Sequence, residues 1–204
     1  MYVGSLKQLA RELQNLKGFK KPKIKLEQYE TNADVGAEVL WNAHMIGELE
    51  DAQIVDLGCG TGILGIGCLV LGAGHVDFVD IDSDALDTLY TNLEGWEAET
   101  HDVHKMNIAE FSGKSDLVVM NPPFGTKDEH ADKRFLEKAF SVAPVVYSLH
   151  KTSTKGFVRA ICKDFGYEIT HEWNFEYPLK KSTDFHKKRV QTIQVSGFRM
   201  ERKQ

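Results

Sequence analysis

A chain of 204 residues and 23.0 kDa, 42% hydrophobic and 27% charged, is long enough to bury a core and has the composition of an ordinary globular protein. No apolar run approaches the roughly 18 residues of a membrane span, and the first ten residues lack the apolar stretch of a secretory signal. Cys59, Cys68 and Cys162 show neither metal-ligand spacing nor a pairing pattern, so no metal is expected, and a reducing, cytoplasmic compartment is.

The net charge of −5 is unevenly distributed. Between Leu26 and His104 there is no Lys or Arg, while 17 of the 30 acids fall there. The remainder carries 25 basic residues against 13 acids. A solvated surface accounts for this alone; the sharper reading is basic ends for a polyanion and an acidic middle for a cationic small molecule.

Leu6, Leu9, Leu13 and Leu16 predict a first helix with one apolar face, stopped by Gly18. After the basic connector Lys20-Lys21-Pro22-Lys23, Thr31 or Asn32 is placed to cap a second helix carrying Val35, Val39 and Leu40. Strands and helices then alternate. Strands are predicted at Gln53–Leu57, Val76–Asp80, Leu117–Met120 and Val145–Leu149. Helices are predicted at Ile63–Leu71, Ser83–Leu93 with Ser83 as N-cap, Lys133–Val142 and about Thr154–Phe165. That order implies a parallel sheet covered on both faces. Tyr167–Tyr177 and Val190–Met200 alternate apolar and polar residues and predict two antiparallel strands at one end, joined by Lys180–Lys188. The expected organisation is one α/β domain over 1–204, with N-terminal helices over 1–50 and a Rossmann-like core over 51–204.

Two constellations carry chemistry. Asp56-Leu57-Gly58-Cys59-Gly60-Thr61-Gly62 sits where the first strand turns into a helix, at the ligand end of such a sheet. The spacing Gly-x-Gly-x-Gly differs from the dinucleotide fingerprint. Asp80, 24 residues after Asp56, ends the next strand and suits two ribose hydroxyls; Asp102-Val103 is expected after the third strand, near an adenine. A carboxylate-rich pocket repels a pyrophosphate and attracts a sulfonium, so S-adenosylmethionine is the expected cofactor. The alternative for Asp80 is a turn or capping acid, with Asp82 and Asp84 as equal candidates for the cap.

The second constellation is Asn121-Pro122-Pro123-Phe124 after the fourth strand. A base amine or an amide nitrogen is a poor nucleophile because its lone pair is delocalised. The Asn121 carboxamide oxygen and the Pro122 carbonyl accept its two N–H groups and aim the lone pair, the prolines stiffen the loop, and Phe124 stacks on a planar base. The bland reading is a rigid turn after a buried strand.

Across these blocks, and across Gly18-Phe19, Lys21-Pro22-Lys23, Leu26-Glu27-Gln28-Tyr29, Asp80-Ile81-Asp82, Gly125-Thr126, Tyr147-Ser148-Leu149-His150-Lys151 and Phe185-His186-Lys187-Lys188, the chain resembles the methyltransferase-like protein 5 family and its archaeal relatives, from about Leu6 to Phe198. The resemblance implies a seven-stranded class I S-adenosylmethionine-dependent methyltransferase fold and N6-adenosine methylation of small-subunit ribosomal RNA. It implies cofactor contacts from Gln28, Thr31, Gly58, Thr61, Ile63, Asp80, Asp102 and Val103. For eukaryotic members it also implies a small zinc-binding activator that covers an apolar sheet edge. Glu30 stands where a proline is common, which predicts a less rigid loop over the cofactor.

Lysines 17, 20, 21, 23 and 25, and Lys180, Lys181, Lys187, Lys188 and Arg189 around Phe185 and His186, suit RNA phosphates and bases; a solvated face is the alternative for each cluster. His150 and Lys151 end the fifth strand on the active-site side, as substrate contacts or as a satisfied strand-end pair. Chemistry on a base requires it to be unstacked. The rival substrates are a protein glutamine amide, guanine N2 in RNA and adenine in DNA. About 50 residues precede the first strand, too few for the helical bundle usual in glutamine methyltransferases. A catalytically silent binding module is the rival from another class.

Overall fold

In the computed structural model, which describes residues 3–97, 100–124, 131–178 and 192–203, six helices and seven strands alternate along the chain. They are α1 (Leu6–Asn15), α2 (Ala33–Ile46), β1 (Gln53–Leu57), α3 (Ile63–Val70), β2 (His75–Asp80), α4 (Ser83–Asn92), β3 (His101–Lys105), β4 (Leu117–Met120), α5 (Ala131–Val142), β5 (Val145–Lys151), α6 (Lys155–Asp164), β6 (Tyr167–Pro178) and β7 (Thr192–Arg202). One sheet runs in the order β3-β2-β1-β4-β5-β7-β6. Neighbours are parallel except around β7, which lies antiparallel between β5 and β6. The order reverses between β1 and β4, and a crevice opens there, at the carboxyl ends of the strands.

Burial on both faces explains why β4 is wholly apolar and why β1 is apolar at Ile54, Val55 and Leu57. Ile54, Leu117 and Val119 join the core beneath α1, α2 and α3, with Leu9, Leu13, Leu40, Leu64 and Ile66. Val55, Leu57, Val118 and Met120 point the other way, into a core closed by Leu136 and Phe140 of α5 and Val158 and Ile161 of α6.

Several ends differ from expectation. Of the α1 leucine face, only Leu9 and Leu13 are buried; Leu6 is 37% exposed. The helix ends at Asn15 and the backbone is already extended at Leu16, ahead of Gly18. Asn32 caps α2 by accepting from the N–H groups of Asp34 and Val35, which leaves Thr31 for another role. Asp82, not Ser83, caps α4: its carboxylate accepts the Asp84 N–H at 3.1 Å, and Ser83 is the first helical residue. The loop Lys180–Lys188 lies outside the described residues.

The three cysteines are free and buried. No described helix is long and apolar enough to cross a membrane.

One ionic knot ties the helical layer to the antiparallel end of the sheet. Glu48, just after α2, accepts from the Tyr147 hydroxyl at 2.6 Å and from Arg199 Nε at 3.0 Å, with Arg199 Nη2 also in contact. Burial pushes the Glu48 carboxyl up, but the hydrogen bonds from Arg199 and Tyr147 outweigh it and hold the group below its ordinary value. Arg199→Met therefore leaves a desolvated carboxylate without its cation, and we expect a loss of about 3 kcal/mol in urea unfolding at neutral pH. A depressed carboxyl contributes above its unfolded value and ceases to as pH falls through the folded one. The gap between Arg199→Met and wild type should thus narrow in urea melts below the ordinary carboxylate range; a gap independent of pH would refute the ionic origin.

Candidate active site

The crevice holds a cavity of about 1570 Å³, larger than the roughly 300–1,000 Å³ typical of a single small-molecule pocket. Its walls come from the segment before α2, the β1–α3 turn, the end of β2, the turn after β3, the end of β4 and one side of α5.

The β1–α3 turn is shaped by two glycines. Gly58 (φ +70°) and Gly60 (φ +55°) hold left-handed backbone, and a Cβ on either would come within 2.7 Å of the Phe135 ring or 2.8 Å of the Phe19 ring. Phe135 lies within the helix pattern and has no motif of its own; Phe19 belongs to the Gly18-Phe19 block of the resemblance, with no role assigned to it there.

Carboxylates fasten this turn. Asp56, 2% exposed, accepts the Gly65 N–H in the first turn of α3 at 2.8 Å. Burial pushes its carboxyl up to about 7, the Gly65 N–H pulls against that, and the Asp80 charge adds to the rise. Asp80 accepts from the Gly60 N–H and the Asp82 N–H, both at 2.8 Å. Burial raises its carboxyl too, against those N–H donors.

Asp82 is the next link. Besides capping α4, it takes the Lys23 ammonium and, at 2.6 Å, the Gln28 amide. Its burial raises the carboxyl, and Lys23 and Gln28 more than reverse that. Lys23 also reaches Asp84 at 2.8 Å. Further along, Asn92 accepts the Lys17 N–H at 2.9 Å and donates to the carbonyls of Lys17 and Thr61. Glu30 folds its carboxylate against the bare Cα of Gly18, where any Cβ would overlap it. The expected slackness at Glu30 is thus met by anchors along residues 17–30.

At the end of β4 the Asn121 amide nitrogen donates to Thr31 Oγ1 at 2.9 Å. In that arrangement the carboxamide oxygen is not used by Thr31 and keeps its acceptor capacity. Tyr29 lies nearly parallel to Phe124, 17° between planes and 6.2 Å between centroids, and the Lys151 ammonium stands 5.5 Å from the Phe124 centroid.

Of the residues singled out in the sequence, Gln28, Thr31, Asp56, Gly58, Gly60, Thr61, Ile63, Asp80, Asn121 and Pro123 line the cavity. Gly62 stands behind the wall as the N-cap of α3, its N–H on the Cys59 carbonyl. Pro122 is buried, and Phe124 is half-buried beside Tyr29. Asp102 and Val103 are a correction. They lie inside β3, opposite Asp77 and Phe78, and the chain emerges at the cavity only at Asn107, Ile108 and Ala109. The polar run His101–Lys105 carries no apolar strand signature, so the strand was placed too early in the sequence. His150 is also turned away: it is buried, bonded to Ser148 at 2.7 Å, and desolvation lowers its ring to about 3, so it stays neutral. His186, Lys187, Lys188 and Arg189 lie outside the described residues.

A parallel sheet with an antiparallel strand β7 inserted before the last, a glycine turn after β1 and an acid ending β2 define a class I methyltransferase. The family model of the methyltransferase small domain matches residues 29–145. A Danio rerio protein named rRNA N(6)-adenosine-methyltransferase METTL5 is 40% identical over 201 residues, 95% of this chain and 97% of that one. The Drosophila melanogaster protein named rRNA N(6)-adenosine-methyltransferase Mettl5 is 36% identical over 206 residues, covering 96% of each. Among solved structures, PH1948 of Pyrococcus horikoshii, described as a candidate RNA methyltransferase, superposes with a TM-score of 0.90 at 38% identity over 98% of both chains. The chain belongs to the methyltransferase-like protein 5 family.

The Asp82 junction gives a direct test of how the segment before α2 is held. Asp82→Ala removes the α4 cap, the Gln28 partner and one of the two acids that hold Lys23. We expect faster amide hydrogen exchange across residues 19–30 and a stability loss of about 1 kcal/mol from the cap. Exchange unchanged in that segment would mean that Asn92 and Glu30 suffice to hold it.

Proposed function

We propose that this protein methylates N6 of an adenine in ribosomal RNA, of the small subunit, using S-adenosylmethionine. The observation that carries the reading is Asn121: with its amide nitrogen spent on Thr31, its oxygen is left to accept from an amine inside the same cavity as the carboxylate-held glycine turn. The METTL5 names of the Danio rerio and Drosophila melanogaster relatives point to the same nitrogen.

The residues fit the donor. Asp56 and Asp80 set negative charge beside the turn that would hold a sulfonium and an ammonium, and each oxygen bound to one N–H retains a lone pair. Gln28, Thr61, Ile63, Asn107 and Ile108 close the remaining sides, the last two in the place first expected of Asp102 and Val103. When bound, S-adenosylmethionine supplies a methyl carbon activated by the adjacent sulfonium. Asn121 Oδ1 and the Pro122 carbonyl accept hydrogen bonds from the two amine N–H groups and bring the nitrogen towards tetrahedral geometry. Proximity and alignment then carry the step, and the proton leaves afterwards without a strong base. Phe124 and Tyr29, nearly parallel, offer faces for the base, and Lys151 offers a cation to the backbone next to it. His186, Lys187, Lys188 and Arg189, outside the described residues, are RNA-binding in this reading by their charge and aromatic neighbours in the sequence.

Two finer points complete it. A small zinc-binding activator, implied by the family, would pair with an open sheet edge. Among the described residues the sheet ends at β3 and β6, and β3 carries Val103 among His101, Asp102, His104 and Lys105. The free, buried cysteines suit a reducing, cytoplasmic setting.

Labelled S-adenosylmethionine offered with separate RNA, DNA and protein fractions, followed by nucleoside mass spectrometry, tests the substrate. We expect N6-methyladenosine in ribosomal RNA; label on glutamine, on guanine N2 or only in DNA would replace the proposal. Asn121→Ala should lower methyl transfer about 10²–10³-fold, as loss of a transition-state hydrogen bond does, with cofactor affinity retained. Phe124→Ala should raise the KM for RNA by about 5- to 150-fold, the equivalent of about 1–3 kcal/mol of stacking.

The buried acid gives a pH signature. With the free-enzyme carboxyl of Asp56 at about 7, a cationic ligand is bound better once that group ionises, and binding releases a proton. Affinity for S-adenosylmethionine should rise between pH 6 and 8 in calorimetry, and Asp56→Asn should flatten the profile. A flat profile in the wild type would remove Asp56 from the charges the ligand senses.

A further inference from the structure

β2 and β3 end at the cavity, but the other half of the same two strands carries a cluster that methyl transfer does not use. On β2, His75 and Asp77 are two residues apart and so share a face; on β3, Asp102 and His104 do the same. The parallel register sets Asp77 opposite Asp102 and Val79 opposite His104, which brings all four side chains to one side of the sheet. One donor atom from each of His75, Asp77 and Asp102 lies within 4.8 Å of the others. His75 Nε2 is 3.4 Å from Asp102 Oδ2 and 4.0 Å from Asp77 Oδ1, and His104 Nε2 is 2.6 Å from that same Asp77 oxygen.

Two carboxylates directly across a strand pair repel each other, and here no Lys or Arg relieves them from within the span Leu26 to His104. Lys105, the next residue, pairs with Asp80 and so faces the opposite side. Metal–ligand bonds of about 2.0–2.2 Å in a tetrahedral site set ligand atoms about 3.3–3.6 Å apart; the His75–Asp102 pair at 3.4 Å already stands at that spacing, and the His75–Asp77 pair at 4.0 Å reaches it by a small side-chain adjustment. Imidazole with carboxylate is a donor set for zinc-like ions rather than for magnesium. His75 and Asp77 are mostly shielded, at 21% and 26% side-chain exposure, while Asp102 at 68% leaves the site open to solvent on one side.

We propose that His75, Asp77 and Asp102 bind a divalent first-row transition ion, zinc as the type case, with His104 orienting Asp77 from outside the coordination sphere. The ion clips the edge strand β3 to β2. It is separate from the cofactor cavity and from the zinc of any activator, and it does not rest on the proposed substrate.

The test uses the full chain without an affinity tag, stripped with chelator and titrated with zinc alone and with cobalt alone. We expect one saturable ion per chain by calorimetry, a visible cobalt absorption that zinc displaces, and a rise in Tm with zinc but not with magnesium. Asp102→Asn, isosteric and at an exposed position, should keep the metal-free Tm and weaken binding by at least about tenfold, with His75→Ala doing the same. Absence of saturable binding would overturn the proposal. So would zinc binding that both variants leave unchanged, since the ion would then sit on other histidines or cysteines.

Discussion

The pocket depends on negative charge held by backbone N–H groups. Asp56 accepts from Gly65 at the start of α3, where the helix end favours an anion. Asp80 accepts from Gly60 and Asp82, and Asp82 in turn from Asp84. Each carboxylate thus fixes the main chain at the carboxyl end of a strand, and a Cβ added at the glycines they govern would strike an aromatic ring. Of Asp56, Asp80 and Asp82, only Asp82 meets a cation among the described residues, Lys23, and only its carboxyl is held below the ordinary range. Asp56 and Asp80 are instead pushed up by burial. Those two carboxylates have lost solvation without a positive partner among the described residues, and a ligand carrying positive charge would supply one.

The segment before α2 belongs to the site for the same reason. It has little regular structure beyond a 3-10 turn at Ile24–Leu26, so its own backbone hydrogen bonds hold it weakly. It is fastened by partners on α4 and by its own Gly18–Glu30 contact. Asp82 takes Lys23 and Gln28, and Asn92 takes Lys17. Both acceptors sit at the ends of one helix, so α4 acts as the post to which the cavity's front wall is tied.

Much of this is legible in the sequence. Strands with both faces buried announce themselves as apolar runs, which is why Gln53–Leu57 and Leu117–Met120 match to the residue. The glycine turn and Asn121–Phe124 stand out because few other roles demand that combination. What escaped the sequence was decided by neighbours. The edge strand His101–Lys105 is polar because only part of it is covered, so nothing marked its start, and Asp102 was assigned to a ligand it does not face. The α4 cap fell to Asp82 and not Ser83 because the carboxylate was already positioned by Lys23 and Gln28. Phe135 carries no motif and Phe19 only a place in the Gly18-Phe19 block; both pack where Gly58 and Gly60 lack side chains. Gly18, placed as a helix stop, serves a contact twelve residues later in the chain, with Glu30.

Thr31 joins the two halves of the chemistry. Its hydroxyl orients Asn121, while Gln28, three residues earlier, is bound to the acid that caps α4. Tyr29 lies between them, its ring alongside Phe124. The four-residue stretch from Gln28 to Thr31 therefore touches the acidic side of the cavity and the amine clamp at once. A displacement of that stretch by even one ångström would turn the Asn121 carboxamide as well as loosen Gln28, and misplacement on that scale is costly where alignment supplies most of the rate. Alignment of the clamp is thus inherited from the carboxylate network through a single peptide segment. That is the physical reason a loop with so few internal hydrogen bonds carries so many external ones.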